Sequence, residues 1–68
     1  MLFPTLEFKI ELLKHSLSLT EIARFLDVTP QLIHSVVNNN GQSYRIRDFL
    51  IRLLRDMKSG KFKGLEFY

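Results

Sequence analysis

Apolar residues recur at helical spacing in four stretches of the chain, and residues that cap or end helices separate these stretches. In the first stretch, Phe8, Leu12 and Leu13 supply the apolar positions. Thr5 precedes them and is the expected N-cap, since its hydroxyl can accept from an unpaired backbone amide of the first turn. The pattern predicts a first helix that follows Thr5 and ends near residues 15–17.

A capping box predicts the start of the second helix. The Ser18 hydroxyl is expected to accept a hydrogen bond from the amide of Glu21, whose carboxylate reaches back to the serine amide. The helix should end at Asp27, because Asp is one of the few residues besides glycine that tolerate the left-handed conformation of a tight helix end. Between these ends, four residues are expected to face inward: Ile22, Ala23, Phe25 and Leu26.

The third helix should follow almost at once. Thr29 is an N-cap residue directly before Pro30, and proline at the first helical position loses nothing by lacking an amide hydrogen. The i, i+3, i+4 stripe that should face the core consists of Ile33, Val36 and Val37. The helix is expected to end in residues 38–41, Asn-Asn-Asn-Gly, which tolerate left-handed conformations.

The fourth helix is expected to begin near Ser43, to end at Lys58 or Ser59 and to be followed by Gly60. Its apolar face comprises Ile46, Phe49, Leu50, Leu53, Leu54 and Met57. The pattern therefore predicts an all-α domain of four to five helices over residues 1–60.

Residues 61–68 form a tail without a helical period, and its alternating pattern is compatible with a short β-strand. It carries four large apolar residues: Phe62, Leu65, Phe67 and Tyr68. Because exposed apolar surface is normally covered, we expect the tail to pair with a second copy across a two-fold axis. The alternative is a tail that folds back on its own domain.

Composition narrows the function classes. The 68 residues contain no cysteine, which excludes disulfides and thiolate zinc sites. No signal-like segment and no membrane-length apolar run is present, so we expect a cytoplasmic, soluble protein. Residues 1–42 contain three Lys or Arg and four Asp or Glu, so their net charge is −1. Residues 43–68 contain seven Lys or Arg and three Asp or Glu, so their net charge is +4. Such a basic segment is either a solvated face or a contact for nucleic acid.

The chain offers no pattern typical of catalysis. It has no nucleophile paired with a base, no glycine-rich phosphate loop and no separate pair of carboxylates. His15 and His34 are isolated, and metal ligation needs several converging donors. We therefore expect neither an enzyme nor a site for a metal, a cofactor or a small-molecule ligand.

The spacing of the second and third helices is typical of a helix-turn-helix, which needs a small residue where the helices touch and apolar residues at fixed offsets. Ala23 occupies the contact position, and the apolar positions are Ile22, Leu26, Val28, Ile33 and Val36. Residues 19–38 resemble the phage-repressor and Cro-like helix-turn-helix family, which has the lambda-repressor-like fold. The resemblance extends more loosely over residues 6–58. Asp27 stands where the family usually has glycine, and it can adopt the same turn conformation.

The resemblance implies that helix 29–38 enters the major groove of double-stranded DNA. The outward positions that would face the bases are Thr29, Gln31, His34, Ser35 and Asn38. Gln and Asn can pair bidentately with adenine, and no arginine on this face is available for guanine. These side chains favour an operator that is read at A·T pairs.

Phosphate contacts are expected where the basic segment begins, because a helix N-terminus favours an anion. The candidates just after the recognition helix are Ser43, Tyr44, Arg45 and Arg47, with Thr20 and Arg24 as weaker candidates on the second helix. By resemblance, the protein would act as a transcriptional regulator that binds a pseudo-palindromic operator as a homodimer.

Two other functions fit the same pattern. A helix-turn-helix can serve protein contacts only, as in an antitoxin or an antirepressor. A non-specific architectural DNA-binding protein is disfavoured, because it would need more than the ten Lys and Arg present and usually an apolar wedge.

Overall fold

The computed structural model describes residues 2–41 and 43–68, and within these residues the chain is all-helical, without a strand. The α-helices are α1 (Thr5–Lys14), α2 (Leu19–Leu26), α3 (Pro30–Val37) and α4 (Tyr44–Ser59), and a 3-10 turn follows at Leu65–Phe67. The four helices and the all-α class are those that the apolar periodicity predicts.

Side-chain caps start three of the helices where the sequence indicates. The hydroxyl oxygens of Ser18, Thr29 and Ser43 accept from the amide three residues later, at 3.1, 3.3 and 3.5 Å respectively. The return contact differs from the predicted one, since the Glu21 carboxylate accepts from the Ser18 hydroxyl at 3.2 Å and not from the Ser18 amide. At the other end of α4, Gly60 adopts a left-handed conformation with φ 79°, as expected for a glycine that ends a helix.

The predicted N-cap of α1 is wrong. Thr5 is the first residue of the helix, the cap position belongs to Pro4, and no side chain caps the amides there. The Thr5 hydroxyl instead donates to the carbonyl of Val37 at the end of α3. The hydroxyl thus joins α1 to the end of α3, and no local pattern reports that distant partner.

The core lies between α1, the α2–α3 pair and α4. It consists of Phe3, Phe8, Leu12, Ile22, Ala23, Ile33, Val36, Val37, Ile46, Leu50, Leu53, Leu54 and Met57. Two residues expected on inward faces are exposed: Leu13 at 81% and Phe25 at 41%. Leu13 lies on the side of α1 opposite the core, and Phe25 stacks on Phe49 with the ring centroids 6.0 Å apart.

The tail is not a strand. After Gly60 the chain turns back along its own domain, where Phe62 and Leu65 pack against the core. Tyr68 stacks on Phe62, contacts Phe49 edge to face and donates a hydrogen bond to the Asp56 carboxylate. Contacts within the chain thus cover the apolar tail in part: Phe62 and Leu65 are half-buried, whereas Tyr68 stays 38% and Phe67 68% exposed.

None of the helices in the described part of the chain combines the length and the apolarity needed to cross a membrane.

Candidate nucleic-acid interface

The turn between α2 and α3 positions the candidate interface. Asp27 ends α2 in the left-handed conformation, with φ 58° and ψ 45°, as its residue type allows. The next amide, of Val28, donates to the Ala23 carbonyl at 3.0 Å, which closes the end of the helix. Ala23 is 1% exposed. The small residue therefore lies buried within the α2–α3 unit, as the helix-turn-helix interpretation expects.

One face of α3 is polar and exposed. Ile33, Val36 and Val37 are buried, so the remaining positions of the helix turn outward. Gln31, His34 and Asn38 are exposed at i, i+3 and i+7, and Thr29 is exposed at the start of the helix. Three of the five predicted base-reading residues, Gln31, His34 and Asn38, thus share one accessible surface, which we call the α3 face, whereas Thr29 lies on another side of the helix.

Ser35 is less accessible than the other four. It is half-buried because the chain folds back over it, with the amides of Asn40 and Gly41 donating to its carbonyl at 2.8 and 3.0 Å. A β-carbon at Gly41 would lie 3.1 Å from the Ser35 β-carbon. The lack of a side chain at Gly41 allows this close approach.

Two of the predicted phosphate-binding residues flank the start of α3. Thr20 and Arg24 are exposed on α2, and they line a surface cleft of about 310 Å³ together with Pro30, the first residue of α3. They lie one turn apart on the same side of α2. A guanidinium and a hydroxyl are therefore available beside the N-terminal end of the α3 face.

Three more candidates flank the other end of α3. Ser43, Tyr44 and Arg47 line a second cleft of about 310 Å³, whose other wall includes Val36 and Asn39. Tyr44 is 74% exposed, so its phenol is accessible to a ligand. Its phenol and the neighbouring hydroxyl and guanidinium provide donors where the sequence predicts phosphate contacts.

Arg45 lies apart from Arg47. It lines a larger cleft of about 740 Å³, which also includes Phe25, Phe49 and Arg52. Residues two apart on a helix point about 200° from each other, so these neighbouring arginines line different clefts. Because Arg45 and Arg47 are close in sequence, the sequence suggests one phosphate-binding cluster. The helix geometry instead places them on different sides of α4.

The segment that contains α3 carries no acidic side chain of its own. Residues 28–47 contain no Asp or Glu, and they end with Arg45 and Arg47. Asp27 in the turn lines the cleft of Thr20 and Arg24, and Asp27 and Asp48 line the cleft of Arg45. The cleft of Ser43, Tyr44 and Arg47 includes no acidic residue among its described lining, so it is the one that suits a phosphate best.

Asn39 is a structural residue of this region whose role the sequence does not indicate. It adopts a left-handed conformation with φ 63°, as the Asn-rich run predicts. Its side-chain oxygen accepts from the Phe3 amide at 2.6 Å, and its side-chain nitrogen donates to the Phe3 carbonyl at 3.2 Å. A single side chain thereby joins the N-terminal segment to the end of α3.

The two histidines lie in different surroundings. His34 is exposed on the α3 face. The His15 ring lies edge to face against Phe62 with centroids 5.2 Å apart, and its Nε2 is 3.8 Å from a Glu11 carboxylate oxygen. No group of three or more potential metal ligands occurs in residues 2–41 and 43–68.

Comparison with known proteins gives no match to a family model, to a curated protein or to a solved structure.

Proposed function

We propose that the protein binds double-stranded DNA with the α3 face and regulates transcription as a repressor-like helix-turn-helix protein. The observation that best supports the proposal is that the α3 face is polar and exposed and that hydrogen-bond donors lie beside both ends of the helix. Gln31 and Asn38 supply amide groups that suit adenine, while Thr20, Arg24, Tyr44 and Arg47 lie beyond the two ends of the helix.

The division of roles follows from the chemistry. Amide side chains on the α3 face can pair with base edges in the major groove, which distinguish the four base pairs. Hydroxyl and guanidinium groups beside the helix ends can bind phosphates, which supply affinity without reading sequence. The absence of acidic residues between positions 28 and 47 favours such contacts. The lambda-repressor-like arrangement, a pseudo-palindromic operator and cytoplasmic action belong to the same proposal.

A salt titration tests the proposal. Binding sequences are first selected from a random pool of duplex DNA, and the binding constant is then measured over a range of salt concentrations. Each phosphate neutralised lowers log K by about 0.9 per unit of log salt. Contacts with several phosphates therefore give a steep slope on selected and random DNA, and tighter binding to the selected sequence.

Absence of binding to any duplex at low salt would contradict the proposal. It would favour an interaction module in which the polar helix binds a protein, as in an antitoxin or an antirepressor. Binding with equal affinity to all duplexes would instead indicate a non-specific DNA-binding protein.

A further inference from the structure

The outer side of α1 carries an apolar stripe that the described part of the chain leaves largely exposed. Leu6, Ile10 and Leu13 follow one another at i, i+4 and i+7, so they share one face of the helix. They are 73%, 43% and 81% exposed, whereas Phe8 and Leu12 on the opposite side are buried. The helix therefore has two apolar faces, and only one of them contributes to the core.

We propose that this stripe binds the same stripe of a second copy, with the two α1 helices antiparallel. Self-association through α1 does not depend on DNA binding. The second copy contacts α1 and not the tail, because the tail packs on its own domain.

The charges beside the stripe favour a second copy. Glu7 and Lys14 lie seven residues apart and hence on the same edge of the stripe, three residues before Ile10 and four residues after it. In an antiparallel pair centred near Ile10, Glu7 of each copy faces Lys14 of the other, and the two-fold axis produces this contact twice. In a parallel pair this edge would instead face the other edge of the partner helix, which carries Lys9 and no acidic residue, so Lys14 would have no carboxylate opposite it.

These two side chains are accessible despite their contacts within the chain. Glu7 accepts from Lys58 at 2.7 Å, and its side chain is 58% exposed. Lys14 lies 3.3 Å from Glu11, and its side chain is 64% exposed. Lys9 lies on the other edge, where its long chain can follow the apolar surface while the ammonium group stays in water.

The apolar surface also extends towards α4. Lys58 lines a shallow cleft of about 450 Å³, and Ile51 and Leu54 contribute its apolar wall. Since Lys58 reaches Glu7, this cleft lies beside the charged edge of the stripe. A second helix on the stripe therefore has further apolar surface next to it.

Analytical ultracentrifugation over a range of concentrations tests self-association in the full chain. Leu13→Glu is expected to raise the dimer dissociation constant about tenfold or more, which corresponds to about 1.4 kcal/mol. Leu2→Glu is the matched control, because Leu2 is 77% exposed but lies outside the stripe, and it should leave the constant unchanged. The thermal unfolding of dilute Leu13→Glu protein checks that the monomer fold is retained. A wild-type chain that is monomeric at millimolar concentration, or equal effects of the two variants, would overturn the proposal.

The orientation is tested by charge exchange and by cross-linking. Lys14→Glu should weaken the dimer, and Glu7→Lys combined with Lys14→Glu should restore it, since the two opposite charges are then exchanged in both copies. Because the chain has no cysteine, Ile10→Cys should form a disulfide between copies on oxidation, whereas Leu6→Cys should not, since Leu6 meets its own counterpart only in a parallel pair. A dimer that the double exchange does not restore, or in which Leu6→Cys cross-links or Ile10→Cys does not, would overturn the antiparallel arrangement.

Discussion

The side chain of Asn39 binds both backbone polar groups of Phe3, at 2.6 Å from the amide nitrogen and 3.2 Å from the carbonyl oxygen. Phe3 is 3% exposed and lies edge to face against Phe8, with the ring centroids 5.2 Å apart. The pair of hydrogen bonds therefore holds an anchored N-terminal segment against the loop that follows α3. Because that loop also packs over Ser35, the contact stabilises the C-terminal end of the α3 face.

Asn39→Gly is expected to destabilise the protein by about 1–3 kcal/mol, since it removes two hydrogen bonds worth about 0.5–1.5 kcal/mol each but keeps a residue suited to the left-handed conformation. Asn39→Ala should cost more, because alanine also disfavours that conformation. Urea unfolding measures both effects, and amide exchange at Phe3 should accelerate in both variants. Asn40→Ala, next in the chain, is the control. Equal stability of Asn39→Gly and the wild type would show that the contact contributes nothing to folding.

The contact between α2 and α3 leads to a prediction about Ala23. Ala23→Leu must place a larger side chain in a position that is 1% exposed, and such overpacking typically costs about 1–3 kcal/mol. For a small domain this is a large share of the total stability. Arg24→Leu, the exposed neighbour on the same helix, should change stability much less. Thermal unfolding compares the two variants, and an Ala23→Leu protein as stable as the wild type would contradict the tight crossing.

The helix ends could be predicted from the sequence because their signals are local. Ser18, Thr29 and Ser43 each cap a helix through an amide three residues away, and Asp27 and Gly60 end helices through their own backbone conformations. Such features depend on residues that are close in the chain, so a single sequence contains them.

The errors concern contacts between distant parts of the chain. The apolar spacing groups Leu13 with Phe8 and Leu12, but Leu13 lies on the opposite side of α1, because spacing alone does not say which residues meet the core. The Thr5 hydroxyl and the Asn39 side chain have partners more than thirty residues away. The tail alternates like a strand, but its aromatic residues find partners on α4 and near α1 that no local pattern reveals.

The contribution of Tyr68 to stability is expected to fall at high pH. Partial burial raises the pKa of its phenol from 10.0 to about 12, and the hydrogen bond to Asp56 adds to the shift. A raised pKa in the folded state means that the stabilisation is complete below about pH 10 and is lost as the pH rises towards 12. The difference in unfolding free energy between the wild type and Tyr68→Phe should therefore shrink over this interval. A difference that stays constant from pH 8 to pH 12 would show that the phenol does not contribute in this way.

The arginines at the start of α4 should affect DNA binding without affecting its specificity. Arg45→Ala and Arg47→Ala are each expected to weaken binding to selected and random DNA alike, and to lower the salt slope by about one unit. Arg55→Ala, exposed near the other end of α4, is the matched control and should leave the slope unchanged. Since Arg45 and Arg47 line different clefts, a loss for only one of them would show which cleft meets the phosphates. Unchanged slopes for both would mean that the basic segment is only a solvated face.

Gln31 should affect specificity, because it lies exposed in the first turn of α3, the part of a recognition helix that contacts base edges. Gln31→Ala is expected to weaken binding to the selected sequence by about 1–3 kcal/mol, the usual value of a bidentate pair with a base, while binding to random DNA changes little. Its side chain has no role in the core, so thermal stability should be retained. Asn40→Ala removes a comparable exposed amide outside the α3 face, and it should affect binding to the two DNAs equally.

Competition titrations with selected and random duplexes at one salt concentration measure the effect. An equal loss on both DNAs would assign Gln31 to the phosphate backbone, and the selected sequence would then have to be read by His34 or Asn38.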